Sequence, residues 1–113
     1  MDTLPLKKLS WVLSSRRALQ DFPKEARSRA GSALMAIQLG ELPPDWKSMP
    51  SIGPGAMELR IHEPHEHRVI YVAKFADVIY VLHCFEKKTR ATSPNDLKQA
   101  RKAYAQMQQE RRK

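Results

Sequence analysis

Three β-rich runs, Met57–His62, Arg68–Phe75 and Val78–Glu86, follow one another with only residues 63–67 and Ala76-Asp77 between them. Each is dense in Val, Ile, Tyr or other residues that suit a pleated, half-buried surface. A parallel crossover needs roughly a dozen residues or more. Breaks this short therefore predict an antiparallel meander, and the rest of the chain has to pack around it.

Upstream, Leu9, Trp11 and Leu13 alternate with polar neighbours, which predicts a first strand within Leu4–Val12. Ser14-Ser15 can cap a short helix running to about Asp21, and Pro23 interrupts it and opens a second helix as its first residue. That helix runs to Leu39 with Ala26, Ala30, Ala33, Leu34 and Ile37 as its apolar stripe, and Gly40 suits its C-terminal cap. Residues 41–56 carry Pro43, Pro44, Pro50 and Pro54 with Gly53 and Gly55, so neither helix nor strand is expected there. Ser93-Pro94-Asn95-Asp96 reads as an N-cap, a proline at the first helical position and an acid near the capping-box position. The closing helix has Leu97, Ala100, Tyr104 and Met107 on its apolar face. The expected order is β-α-α-β-β-β-α, an α+β fold of one domain spanning residues 1–113, large enough for a single core without staples.

The charge balance points to a polyanion. Twenty Lys and Arg against twelve Asp and Glu give a formal net charge of +8, which attracts nucleic acid, ribosomes or acidic proteins without choosing among them. Cys84 is the only cysteine, which excludes an intramolecular disulfide or a multi-cysteine zinc site. Between Leu82 and Phe85 it is expected to be a buried small hydrophobe. No apolar stretch approaches the ~18–20 residues of a membrane span, and no signal-peptide core opens the chain, so the cytosol is the expected location.

Alternation places Arg60 on the strand face opposite Met57, Leu59 and Ile61, and Arg68 starts the next strand across the hairpin. Two guanidinium forks so placed could clamp one phosphate, or simply solubilise the sheet. His83 lies within an apolar strand, where it is either a satisfied core residue or a proton-transfer group on the sheet that carries both arginines. Lys87 and Lys88 leave that strand's end, either as solvated charges or as ammonium groups over the sheet face. His62-Glu63-Pro64-His65-Glu66-His67 has the composition of a metal site, but Pro64 and the tight turn favour a polar hairpin. The chain has no phosphate-binding glycine loop and no paired carboxylates for two-metal chemistry. A nuclease built from these parts would be metal-independent and act on RNA, whose 2′-hydroxyl is its own nucleophile. Positioned proton transfer contributes roughly 10²–10⁴-fold, and a preorganised donor at the developing charge about 2.7–4 kcal/mol.

Four segments in order carry a family resemblance: Gly55-x-x-Glu58-Leu59-Arg60, Arg68-Val69-Ile70-Tyr71, Leu82-His83-x-Phe85-x-Lys87-Lys88-Thr89, and Pro94 opening a helix with Ala100 and Tyr104. Across about residues 14–105 the chain resembles the phage-derived HigB-like branch of the RelE/ParE toxin superfamily. That resemblance implies a RelE-like α+β fold: two N-terminal helices packed on one face of a twisted antiparallel sheet of about four strands, a basic concave surface opposite, and a closing C-terminal helix. It implies a type II toxin that cleaves mRNA on the ribosome without cofactor or metal. Its partners would be a helix-turn-helix antitoxin, the ribosome and mRNA, with operator DNA reached only through the antitoxin and no membrane involved. Arg60 and Arg68 match the phosphate-binding arginines, Lys87 and Lys88 the strand-end lysines, and His83 the histidine before the motif phenylalanine. These five are the expected catalytic residues. ParE-type toxins share the fold but poison DNA gyrase by binding, and a non-catalytic RNA-binding protein is a third possibility. The clustered acid–base groups favour the nuclease.

Overall fold

A computed structural model describes residues 6–113. Its elements in chain order are β1 (Lys8–Trp11), α1 (Ser15–Gln20), α2 (Lys24–Gln38), β2 (Trp46–Ser48), β3 (Ala56–Ile61), β4 (His67–Val72), β5 (Val78–Glu86) and α3 (Pro94–Arg112). Among the described residues the strands form one five-stranded sheet in the order β1-β5-β4-β3-β2. The meander β3-β4-β5 is antiparallel as its short connections require. β1 falls within the expected first strand, whose Leu4 and Pro5 lie outside the described residues, and it pairs in parallel with β5. The sheet is therefore mixed.

Two expectations fail instructively. β2 lies inside the proline-rich segment, where no strand was expected. Trp46, Lys47 and Ser48 sit between Pro44 and Pro50 and pair antiparallel with Leu59, Glu58 and Met57. Prolines flank the strand without removing any of its own donors, and an edge position needs only one side of its backbone. The second failure concerns the helices, which do not share one face. The α3 side buries Ile70, Val72, Leu82 and Phe85 against Ala100, Tyr104 and Met107. The opposite side buries Leu59, Ile61, Val69, Tyr71 and Val81 against Leu19, Phe22 and the α2 stripe. β4 is buried at every position, as a strand covered on both faces must be.

Local chemistry explains the helix ends. Ser14 occupies the N-cap of α1 but makes no side-chain cap bond. Ser15 is buried instead, and its hydroxyl donates to the Val81 carbonyl at 2.9 Å, tying α1 to β5. Pro23 stands at the N-cap of α2 rather than as its first residue. Gly40 takes φ +85° while its N–H and that of Glu41 donate to the Ile37 and Ala36 carbonyls, the bond pattern of a Schellman cap. At α3 the Ser93 hydroxyl accepts from the Asp96 N–H and Pro94 follows it, as expected. Gly53 is required by close approach: a Cβ there would stand 2.5 Å from the Tyr104 ring, whose hydroxyl donates to the Pro54 carbonyl at 2.6 Å.

One irregularity positions the site. Ile70 pairs with His83 while Tyr71 pairs with Val81, so Leu82 is an extra residue on β5. Strict alternation would send His83 to the side of Val81. The bulge resets the phase, and Leu82 and His83 both face α3.

Candidate active site on the α3 side of the sheet

The register assembles two rows of side chains beyond the N-terminal end of α3. Arg60 on β3 is directly opposite Arg68 on β4, which is opposite Phe85 on β5. In the next row Lys47 of β2, Glu58, Ile70 and His83 align across four strands. Like charges facing each other across strands are unfavourable, so the arginine pair needs an anion. Glu58 supplies it: a carboxylate only 2 % exposed, its Oε1 accepting from Arg60 Nε at 3.2 Å and lying 3.7 Å from Arg68 Nε.

The two arginines have different states. Arg68 is buried to 5 % exposure; its Nη1 donates to the His67 carbonyl at 3.0 Å and its Nη2 to Glu66 at 2.8 Å. Its Nε is the one buried side-chain polar atom without a hydrogen-bond partner among the described residues. The Glu58 oxygen is near enough to attract it but is bonded to Arg60. Arg60 keeps about a third of its side chain exposed and can meet a ligand.

The third cationic strand end is less uniform. The Lys87 N–H donates to the Glu66 carbonyl at 2.7 Å, so the β4–β5 ladder runs one residue past β5 and holds Lys87 beside the arginine row. Lys88 is 79 % exposed, with its ammonium 3.8 Å from Glu86. Of the pair, Lys87 is the one tied to the site.

His83 has an acid beneath it. Its Nε2 lies 2.8 Å from Asp96 Oδ1, within hydrogen-bond distance. The other Asp96 oxygen accepts from the Ser93 hydroxyl at 2.6 Å. The imidazole stacks on Phe85 with centroids 5.2 Å apart and planes 22° off parallel. The sequence marks Asp96 only as a capping acid, and no spacing rule links it to a strand histidine. Glu58 was legible: its i, i+2 relation to Arg60 puts both on one strand face.

The histidine-rich hairpin does not converge. His62 bonds to Asp45 and Glu66 on the surface, and these carboxylates raise its pKa above 6.5, Asp45 most. His67 is buried on the other side of the sheet, 4.6 Å from the Phe22 ring, with Nδ1 donating to the His65 carbonyl. Among the described residues no group of three or more His, Cys, Asp or Glu could hold a metal ion. Cys84 is buried and its thiol is pushed up to about 12 by burial, which removes it as a nucleophile near neutrality. A groove of about 520 Å³ opens between α2 and β3, floored by Ala33, Ala36, Leu59 and Ile61, with Arg60 on its border.

The profile of the family described as Phage derived protein Gp49-like (DUF891) matches residues 17–105. The chain belongs to this family. Gp49-like proteins are associated with RelE/HigB-like toxins, and RelE-type toxins are endoribonucleases. No curated protein matches the chain significantly. The match covers β3, β4, β5 and the first two-thirds of α3, and so includes all five expected catalytic residues together with Glu58, Glu66 and Asp96. Among the described residues of this Gp49-like chain no helix is long and apolar enough to cross a membrane.

Proposed function

We propose that residues 1–113 form a single HigB-like toxin domain that cleaves mRNA on the ribosome in the cytoplasm and is held in check by a helix-turn-helix antitoxin. The observation that carries this reading is the pair of cross-strand rows, Arg60–Arg68–Phe85 and Glu58–Ile70–His83, in a chain whose family is associated with endoribonuclease toxins. In the reaction the substrate 2′-oxygen attacks the adjacent phosphorus, a 2′,3′-cyclic phosphate forms, and the bond to the 5′-oxygen breaks. The 2′-hydroxyl proton passes to a base and the departing oxygen takes one up. Arg60 binds the non-bridging oxygens as charge builds there, with Lys87 as a second cation and Lys88 reaching the flanking backbone. Arg68 acts from within the sheet, sharing Glu58 with Arg60 and so fixing where that guanidinium sits. His83 is the proton carrier. None of these roles calls for a metal.

Primer extension on a defined mRNA programmed into ribosomes, with and without the purified protein, tests this. New 5′ ends within codons that require ribosomes are the expected result. Intact message together with stalled gyrase on supercoiled DNA would replace the nuclease with a ParE-like binder.

A further inference from the structure

We infer that Asp96 is a positioning residue for His83, selecting the tautomer in which Nδ1 is the atom that exchanges a proton with substrate. The inference deepens the endonuclease reading and rests on it for its catalytic consequence, though not for its geometry.

Three observations converge. The Asp96 carboxylate is anchored before it reaches the histidine, because Ser93 donates its hydroxyl to one oxygen at 2.6 Å while accepting the Asp96 N–H at 3.1 Å. The remaining oxygen meets His83 Nε2 at 2.8 Å, with both side chains about four-fifths buried. The ring is also held from its flat side by Phe85. An imidazole has two nitrogens, and the one that donates to a fixed acceptor leaves the other with its lone pair. Here no described residue bonds to Nδ1. A carboxylate on one nitrogen further stabilises the imidazolium formed when the other takes a proton. Helix cap and general base are thus coupled: the bulge at Leu82 turns His83 toward α3, and the N-cap of α3 delivers the acid that orients it. A surface cap would need only Ser93; the bond from Asp96 to a largely buried strand histidine is what a cap alone does not require.

The test combines a spectrum and a double-mutant cycle. Ring-nitrogen NMR of the ¹⁵N-histidine-labelled protein should show His83 as the Nε2–H tautomer. In Asp96→Asn the amide can donate to Nε2, so the Nδ1–H form should grow at its expense. Single-turnover cleavage of ribosome-bound mRNA should fall roughly 10²-fold in Asp96→Asn. In a His83→Gln background the same change should slow cleavage by no more than about two-fold, because a residue that acts through another has nothing left to act on. A wild-type Nδ1–H ring overturns the inference without any variant having to fold. Equal losses from Asp96→Asn with and without His83 overturn it too, showing a role in α3 alone. If wild-type protein cuts no message while the ring is Nε2–H, the endonuclease reading fails and the geometric assignment stands.

Discussion

Two regions of this molecule carry histidines and acids, and they behave oppositely. The hairpin packs His62, Glu63, His65, Glu66 and His67 into one short stretch. Around His83 the sequence shows no nearby acid except Glu86. Yet the hairpin divides its groups among solvent, the far side of the sheet and a bond to Arg68, whereas His83 receives an aspartate from thirteen residues away. Density along the chain is a poor guide to convergence in a sheet. Successive strand residues point to opposite faces, so a run of chemically active side chains divides itself, and what meets depends on register and on the helix laid across.

That contrast can be broken most forcefully at Arg68. If the strand face is a built site, Arg68→Ala removes a buried cation bonded to Glu66 and close to the buried Glu58. Breaking such a pair leaves an uncompensated charge and typically costs about 3–5 kcal/mol. The lower end is expected, since Glu66 is 41 % exposed. A urea-denaturation series on the purified variant measures it, and a loss below about 1 kcal/mol would make Arg68 as incidental as the hairpin.

Arg60→Ala separates stability from activity. Its side chain is partly exposed and shares its carboxylate with Arg68, so unfolding free energy should change by less than about 1 kcal/mol. Cleavage should fall by the amount associated with one preorganised donor, about 2.7–4 kcal/mol or 10²–10³-fold, and growth arrest on expression should disappear. Lys87→Ala should behave in the same direction and Lys88→Ala much less, because only Lys87 is held by the strand ladder. Full toxicity from a folded Arg60→Ala, Lys87→Ala double variant would remove the site from this face.

The same contrast explains what could be read from sequence. The meander, the α2 stripe, the Gly40 cap and the face of Arg60 all follow from periodicity and from connections too short for anything else. Arg60 and Arg68 were expected near each other and are opposite partners. Hidden features are those that depend on residues far apart. β1 joins the sheet beside β5, a choice no local pattern encodes. β2 is masked by flanking prolines. Helices on both faces were foreshadowed by Val69-Ile70-Tyr71-Val72, a run without alternation, though two-sided burial is evident only with the whole sheet assembled. The direction of His83 depends on a single extra residue, Leu82.

In the hairpin, alanine at His62 or His65 should leave cleavage unchanged within about two-fold and change stability by a few tenths of a kcal/mol, the ordinary outcome at exposed sites. Zinc added at constant magnesium should likewise not alter the cleavage rate. A metal-dependent rate would mean that the hairpin closes into a site on the ribosome.

The smallest effect is also the most diagnostic of what the hairpin does. Arg68 and then His62 hold the Glu66 pKa below 4.5, while Asp45 and then Glu66 raise that of His62 above 6.5. A depressed carboxylate contributes stability that is complete above its unfolded value and is lost as pH falls through the folded one. A raised imidazole contributes stability that is complete below its unfolded value and is lost as pH rises through the folded one. Both contributions are therefore fully present only between about 4.5 and 6.5. These groups are exposed and screened, so the gain should stay within roughly a few tenths of a kcal/mol and shrink with added salt. Melting curves across pH, comparing wild type with His62→Gln, would isolate it: the variant should lose the decline in stability above pH 6.5 that its imidazole causes. A wild-type decline that persists in His62→Gln would have to come from elsewhere, and the hairpin would then be no more than a turn.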